Sequence, residues 1–247
     1  MFSGGAMQRT LRVLLIQVRD AEDPMREHEL ECFATRTRLA RSAFGVWDAV
    51  GRSPTLSEVR GYDALMVGGS GDYNVSKRNQ PGLDHLLELL REVSAVGHPT
   101  FASCYGFQCL VAAHGGEIVH DESRTEVGTY EMELTDAGRA DPVLGSLPAR
   151  FEAQQGHKDH ADRLPDGFEN LARSERSPLQ ALRVPGEPVW GVQFHPELDH
   201  LANRRRYEHY LDAYSAGMSV DERARALSRF RPSPHASELL QAFLALV

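Results

Sequence analysis

The sequence predicts an α/β fold in which a mostly parallel central sheet is flanked by helices and continued by an antiparallel extension. Apolar runs alternate with helical segments through the first 115 residues. That alternation implies right-handed crossovers and a parallel sheet with helices on both faces. After residue 115 the pattern changes to short strand-like segments separated by Gly, Pro and Asp turns, which is typical of antiparallel pairing.

The composition favours a globular chain. Of 247 residues, 41% are hydrophobic and 25% charged, which excludes disorder, collagen and coiled coil as descriptions of the whole chain. The net charge of −8 argues against a nucleic-acid partner, because phosphate affinity comes mostly from Lys and Arg. The basic run of Arg204, Arg205 and Arg206 is therefore interpreted as a solvated helix face.

The sequence also indicates a compartment. No stretch of about 18 apolar residues is present, so no membrane association is expected. The first ten residues lack the pattern of a secretion signal and are predicted to be a flexible lead. Three cysteines do not form a disulfide framework and fit a reducing compartment, so a cytoplasmic location is expected.

The first half of the chain supplies the predicted parallel layer. Residues 11–18 (LRVLLIQV) form a continuous apolar run typical of a strand buried on both faces. The other predicted strands are residues 44–50, 63–67 and 99–103. The predicted helices are residues 27–41, a segment opened by Pro81, and residues 105–114, which end at two glycines.

The second half supplies the predicted extension. Its strands are residues 126–135, 150–157, 169–174, 179–184 and 188–194, followed by a helix over residues 198–214. We divide the chain into a flexible lead (1–10), a main domain (11–216) and a helical tail (217–247). The apolar end of the tail, residues 237–247, either packs on its own domain or forms a docking or self-association surface.

The segment FASCYGFQ carries the first chemical signal. A predicted strand ends at Cys104, a helix follows at once, and Gly106 leaves room for a sharp turn that holds the thiol above the sheet. Backbone N–H groups at a helix start favour thiolate over thiol, and the N–H of Tyr105 is placed where an oxyanion would form. The alternative is a buried cysteine beside a tight turn, since free cysteine is often core.

The segment GVQFHPE carries the second signal. A cysteine nucleophile needs a base, and the base needs a group that orients it. His195 follows a predicted strand, and Glu197 can reach back to its ring after Pro196. The motif alone is weak, and the pairing with Cys104 strengthens it.

A glycine-rich turn, GGSG, gives the third signal. Gly68, Gly69 and Gly71 follow a predicted strand and allow backbone to approach a ligand, so an N–H here is a candidate second oxyanion donor. The alternatives are a phosphate-binding loop or a plain turn. The spacing is not that of a nucleotide-binding loop, because no G-x-G-x-x-G and no G-K-S/T is present.

Together these motifs resemble the class I glutamine amidotransferase family, and most of all the amidotransferase domain of GMP synthase and stand-alone proteins like it. ASCYGFQ lies 91 residues before His195 of FHPE, and the GGSG turn precedes both. The likeness covers residues 11 to about 214. It implies a class I amidotransferase domain of flavodoxin-like architecture over residues 11–216.

The resemblance implies a role for each motif residue. Cys104 would attack the side-chain amide of glutamine, His195 would transfer protons, and Glu197 would orient His195. The resemblance further implies oxyanion donors at Gly69 and Tyr105, and substrate contacts at Gly71, Gln108 and His157.

Three residues depart from the family pattern. Ala102 replaces the glycine before the cysteine, Ser70 replaces a proline of the oxyanion loop, and Lys158 follows His157 where glycine is common. The first leaves room for the turn, while the other two put the oxyanion donors and the substrate contacts in question.

The leading hypothesis is a glutaminase or amidotransferase that acts on L-glutamine and supplies ammonia to a separate synthetase chain, with no cofactor and no metal site expected. A γ-glutamyl peptide hydrolase with the same three residues is the alternative enzyme. A non-catalytic regulatory protein on the same frame is the third hypothesis, and a homo-oligomer is left open.

Overall fold

The computed structural model describes residues 11–211 and 219–247. The predicted flexible lead, residues 1–10, lies outside the described residues. So do residues 212–214 of the helix predicted over 198–214 and the first two residues of the predicted tail, 217 and 218.

Eleven strands lie in the described part of the chain. They are β1 (Val13–Val18), β2 (Phe44–Asp48), β3 (Ala64–Ser70), β4 (Thr100–Ser103), β5 (Glu117–His120), β6 (Glu126–Leu134), β7 (Arg150–His157), β8 (Asp159–Arg163), β9 (Asn170–Arg173), β10 (Ala181–Arg183) and β11 (Val189–Val192). The helices are α1 (Met25–Thr37), α2 (Leu56–Val59), α3 (Leu83–Ala95), α4 (Tyr105–Ala113), α5 (Asp136–Ala140), α6 (His200–His209), α7 (Val220–Leu227) and α8 (Leu239–Leu244).

Nine strands form one sheet in the order β2-β1-β3-β4-β11-β10-β9-β6-β7. The first five of this order are parallel to one another, and the remaining pairings are antiparallel. The predicted fold class, a mostly parallel sheet with an antiparallel extension, is confirmed. The sequence analysis missed β5 and β8, which pair as a separate antiparallel ribbon with His120 opposite Asp159.

Both faces of the parallel layer are buried, as the continuous apolar run in β1 predicts. Leu14, Ile16 and Val18 contribute to the core on one face, with α3 and α4. Val13 and Leu15 contribute to the core on the other face. Because successive side chains of a strand point to opposite faces, a strand covered on both sides reads as apolar throughout.

The apolar end of the tail packs on its own chain. Leu239, Leu240 and Phe243 are fully buried, and the Phe243 ring lies 5.5 Å from that of Phe101 and 5.9 Å from that of Trp190. These side chains therefore extend the core behind β4 and β11. In the described part of the tail, the exposed large apolar side chains are those of Leu246 (53% exposed) and Val247 (38%).

Three expectations of the sequence analysis need correction. The helix predicted to open at Pro81 begins at Leu83, because Gly82 adopts φ +84°, which lies outside the helical region. The glycine-rich segment continues β3 to Ser70, which pairs with Val18, so the turn starts after Ser70. Arg206 is not on the solvated face with Arg204 and Arg205; it is 6% exposed.

Within residues 11–211 and 219–247, no helix combines the length and the apolar character that crossing a membrane requires.

Candidate active site

Cys104 stands at a strained turn between β4 and α4. Its φ of 51° and ψ of −104° lie where few non-glycine residues occur, and the residue is 7% exposed. Its N–H donates to the carbonyl of Val192 (2.8 Å), and its carbonyl accepts the N–H of Gln108 (3.0 Å). Gly106 makes the close approach of α4 to β3 feasible, since a Cβ there would lie 2.6 Å from the carbonyl oxygen of Val67.

This turn forms although Ala102 replaces the glycine of the family pattern. Ala102 lies fully buried in β4, opposite Val67 on one side and Gly191 on the other. A methyl group is therefore accommodated at this position of the sheet.

His195 and Glu197 follow β11, the neighbour of β4, and meet as predicted. The Nδ1 of His195 donates to Oε1 of Glu197 at 2.7 Å, which leaves Nε2 for the thiol. The ring interacts with Cys104, and both residues line one cavity. His195 is 5% exposed and Glu197 1%. The structure thus brings together all three residues predicted to carry the chemistry.

Burial and charge act in opposite directions on this trio. Burial lowers the pKa of His195, but the charges of Cys104 and Glu197 outweigh it and raise the pKa to about 10. Burial raises the pKa of Glu197, but His195 and Arg206 outweigh it and lower the pKa to about 2. The arrangement favours an imidazolium held between a carboxylate and a sulfur, which is the environment that activates a cysteine.

The two predicted oxyanion donors differ in their surroundings. The N–H of Tyr105 belongs to the first turn of α4, where backbone donors have no acceptor within the helix. The N–H of Gly69 instead donates to Oε1 of Glu29 at 3.2 Å. Ser70, which replaces the family proline, donates its hydroxyl to the carbonyl of Tyr73 at 2.7 Å.

The predicted substrate-contacting residues line a cavity of about 180 Å³ that reaches Cys104. Gly71, Gln108 and His157 all border it. The amide of Gln108 donates to the carbonyl of Asp159 (2.8 Å) and to Oε1 of Gln193 (3.2 Å), so its side chain is fixed in place.

The ring of His157 is held in a buried network. Its Nδ1 lies 2.9 Å from the carbonyl of Asp159, and its Nε2 lies 3.0 Å from Oε2 of Glu126. The side chain thereby positions the end of β7, which forms part of the cavity wall. Lys158, the third departure from the family pattern, pairs with Glu122 at 3.4 Å on the same wall.

Several site residues were missed by the sequence analysis. His120 and Asp159 line the cavity because β5 pairs with β8, and Nδ1 of His120 lies 2.8 Å from Oδ1 of Asp159. The sequence suggests Asp159 and His160 as residues that orient the loop near the substrate; of these two, Asp159 lines the cavity, and its contact with His120 has no signal in the sequence. Gln193 donates to the sulfur of Cys104 at 3.8 Å, and its place in the VQFHPE motif was the available signal.

A second cleft of about 490 Å³ adjoins the cavity. Gly71, Asp72, Tyr73 and Tyr210 border both spaces, so these residues lie between the cavity at Cys104 and the second cleft.

In the part of the chain that the structure describes, no group of three or more His, Cys, Asp or Glu side chains is arranged to hold a metal ion. Cys32 and Cys109 are buried free thiols, in α1 and α4 respectively.

Comparison with known proteins defines the class of protein to which this chain belongs. The family model "Glutamine amidotransferase class-I" matches residues 50–209, more than half of the chain. The chain therefore belongs to the class I glutamine amidotransferase family, which confirms the resemblance that the motifs indicated.

Individual relatives share about a third of the aligned residues with this chain. The chain is 33% identical over 158 residues to a glutamine-hydrolyzing GMP synthase of Thermosipho africanus, covering 63% of this chain and 28% of that protein. It is 32% identical over 189 residues to a Gamma-glutamyl-L-1-hydroxyisopropylamide hydrolase of a Pseudomonas species, covering 72% of this chain and 63% of that protein. The matches thus span less than two thirds of these relatives.

Solved structures support the fold. A glutamine amidotransferase of Thermotoga maritima superposes with a TM-score of 0.72 at 23% identity, covering 96% of this chain and 98% of that one. At this identity the likeness concerns the fold alone.

Proposed function

We propose that this chain hydrolyses the side-chain amide of L-glutamine, with Cys104 as nucleophile, His195 as acid and base, and Glu197 as the residue that orients His195. The single observation that carries the proposal is the hydrogen bond from His195 to Glu197, with the ring set against the thiol at the start of α4. The similarity to glutamine-hydrolyzing GMP synthases supports the choice of substrate.

The reaction proceeds in two steps, formation of a γ-glutamyl thioester and hydrolysis of that thioester. The sulfur of Cys104 attacks the amide carbon of glutamine. The carbonyl oxygen becomes an oxyanion that accepts a hydrogen bond from the N–H of Tyr105. The tetrahedral intermediate collapses to a γ-glutamyl thioester as the C–N bond breaks. His195 gives its proton to the leaving nitrogen, which departs as ammonia.

Hydrolysis of the thioester completes the cycle. His195, now neutral, takes a proton from a water molecule that attacks the thioester carbon. The C–S bond breaks, glutamate leaves, and Cys104 returns to its thiolate beside a protonated His195.

The Gly69 N–H requires one further event. It donates to Glu29, so it has to leave that carboxylate before it can stabilise an oxyanion. A binding partner that repositions the β3 end would raise the turnover rate. We propose that this partner is a separate synthetase chain, which also accepts the ammonia. The similarity to GMP synthase proteins of Methanocaldococcus jannaschii and Methanothermobacter thermautotrophicus, each of which is named as one subunit of its enzyme, supports this partner.

The second candidate function is hydrolysis of γ-glutamyl amides larger than glutamine. It is favoured by the similarity to the Pseudomonas γ-glutamyl amide hydrolase and by the cleft of about 490 Å³ that adjoins the cavity at Tyr210. A leaving amine larger than ammonia needs such space beyond the nucleophile.

The experiment measures glutamate release from glutamine and from a γ-glutamyl amide by wild type, Cys104→Ala and Cys32→Ala. Cys32 is a buried thiol in α1 and serves as the matched control. We expect release that Cys104→Ala abolishes, at least about 10³-fold, and Cys32→Ala retains. Equal release by both variants would refute the role of Cys104. The preferred substrate decides between the two functions, and an inert but folded wild type with an unreactive Cys104 would support a non-catalytic protein.

A further inference from the structure

Glu197 of the candidate active site belongs to a group of four buried charged side chains. They are Arg19, Glu29, Glu197 and Arg206, hereafter the charge cluster, and their exposed fractions are 1%, 0%, 1% and 6%. They come from four separate parts of the chain: the end of β1, α1, the segment after β11, and α6. Only Glu197 belongs to a recognised motif.

Positive and negative groups alternate through the charge cluster. Arg206 donates from Nη1 to Oε1 of Glu197 (3.2 Å) and from Nη2 to Oε1 of Glu29 (3.4 Å). Arg19 donates from Nε to Oε2 of Glu29 and from Nη2 to Oε1 of Glu29, both at 3.3 Å. Two cations and two anions balance to zero.

Such a cluster is a poor choice for stability alone. Desolvating a charged pair costs free energy that a well-packed apolar replacement avoids, so buried ion pairs are weak evidence for a structural purpose. The contacts indicate a role at the site. Arg206 and His195 both donate a hydrogen bond to Oε1 of Glu197, and Glu29 accepts a hydrogen bond from the N–H of Gly69. The charge cluster therefore includes the carboxylate that holds His195 and contacts the candidate oxyanion segment at Gly69.

We propose that Glu29 and Arg206 are positioning residues whose balanced charges set the pH at which the Cys104–His195 pair gains a proton. This inference rests on the proposed function of Cys104 as a nucleophile. Each acts on the pair through its charge: Arg206 contacts Glu197 directly, and Glu29 is linked to Glu197 through Arg206.

The sign of each effect follows from the charge that is removed. Glu29→Gln leaves the charge cluster with a net charge of +1, which disfavours adding a proton to the pair. Arg206→Gln leaves −1, which favours it. Unit charges about 10 Å apart, at the effective dielectric constant of about 20 that suits protein sites, shift such a midpoint by about one pH unit, and closer charges shift it further.

Other groups also face the charge cluster and stay the same in every variant. They are Asp23 and Tyr210 beside Arg19, His28 and Cys32 on α1, and Asp199 and Arg205, whose charges act on Cys32 and His28 respectively.

The experiment measures the rate at which iodoacetamide, a neutral reagent, alkylates Cys104 of the full chain between pH 4.5 and 9. The variants are Glu29→Gln, Arg206→Gln, the double variant, and Arg206→Lys as the control that keeps the charge and loses the guanidinium fork. Cys104→Ala supplies the background from other thiols, and thermal melting confirms that each variant is folded.

We expect the acid midpoint of the alkylation rate to fall by about one pH unit in Glu29→Gln and to rise by about one in Arg206→Gln. The double variant and Arg206→Lys should stay near wild type. If Glu29→Gln does not fold, the difference between Arg206→Gln and Arg206→Lys decides the question alone.

Shifts of the same sign in the two single variants, no shift in either, or an equal shift in Arg206→Lys and Arg206→Gln would overturn the inference while leaving the nucleophile in place. Wild type that shows no Cys104-dependent alkylation at all would instead overturn the proposed function, and the inference with it.

Discussion

At the scale of single residues, the side chains of the site are packed so closely that a neighbour has to move by a few tenths of an ångström to admit one more methyl group. A Cβ on Gly69 would lie 3.1 Å from Cε1 of His195, so the backbone of β3 lies directly against the imidazole. Nδ1, which is bonded to Cε1, lies against Glu197, and the ring also interacts with Cys104. The ring is thus confined on several sides, and its position responds to small changes in its neighbours.

Gly69→Ala tests this confinement. The new methyl group requires the ring of His195 to shift by a few tenths of an ångström, and misplacement of about 1 Å can cost about 100-fold in rate. We expect kcat for glutamate release to fall at least about 10-fold while KM and the unfolding free energy change little.

Gly61→Ala is the matched control for that prediction. A Cβ there meets an equally close neighbour, the carbonyl oxygen of Glu58 at 3.2 Å, at an exposed turn. Steady-state kinetics of both variants, alongside urea unfolding, measure the difference. An unchanged kcat in Gly69→Ala would mean that the ring has room to move.

At the scale of elements, short segments hold their places by packing. Helix α8 has six residues, too few to be stable alone in water. Leu239, Leu240, Phe243 and Leu244 nevertheless fix it against the sheet, next to the strands that lead to Cys104 and His195. The tail therefore packs against β4 and β11, the strands that precede Cys104 and His195.

Phe243→Ala should weaken this support. Removing a fully buried aromatic side chain that contacts Phe101 and Trp190 leaves a cavity, and we expect a loss of about 3–5 kcal/mol of unfolding free energy. Leu246→Ala, at a residue that is 53% exposed, should change stability by less than about 0.5 kcal/mol. Urea unfolding measures both. Equal effects in the two variants would contradict the packing of α8.

Sequence patterns predicted the elements that are long or strongly apolar. The continuous run in β1 and the helical spacing in α3 are both buried as expected. The ribbon of β5 and β8 escaped because its strands have only four and five residues and contain several polar side chains. Pairing across about 40 residues of chain gives no local signal, and so the meeting of His120 and Asp159 was not foreseen.

The motif residues of the candidate site were predictable because the roles proposed for them, nucleophile, base and orienting acid, require particular residue types at particular turns. The charge cluster was not. Glu29 lies in a helix of mostly polar residues, and Arg206 is one of three consecutive arginines, of which only this one is buried. Composition gives the charge of such a run, whereas tertiary packing decides which member turns inward.

At the scale of the whole molecule, folding keeps ionisable groups in protonation states that acid disturbs. His160 in β8 is fully buried, and neither ring nitrogen has a hydrogen-bond partner among the residues that the structure describes. Burial, the largest cause, lowers its pKa below the ordinary 6.5. Glu197 is a second acid-sensitive group, since its pKa is lowered to about 2.

The direction of the pH effect follows from proton linkage. An unfolded chain binds a proton at His160 near pH 6.5, while the folded chain resists it, so the stability contributed by neutral His160 is present above about pH 6.5 and is lost as the pH falls through the folded pKa. The contribution of ionised Glu197 is present above about pH 4.5 and is lost toward pH 2. His160 shares this pH window with His28, His98 and His114, whose pKa values burial also lowers, so the loss of stability in acid begins with such histidines and continues with Glu197.

His160→Leu separates these two contributions. Replacing a buried polar ring that lacks partners with an apolar side chain should leave the unfolding free energy at pH 7 unchanged or higher. The variant should also lose less stability than wild type between pH 7 and pH 5, because it no longer has this proton to bind in the unfolded state. Urea unfolding at both pH values measures the difference, with His85→Leu, at an exposed position of α3, as the control. Parallel losses in His160→Leu and wild type would show that His160 is protonated as readily in the folded chain as in the unfolded one.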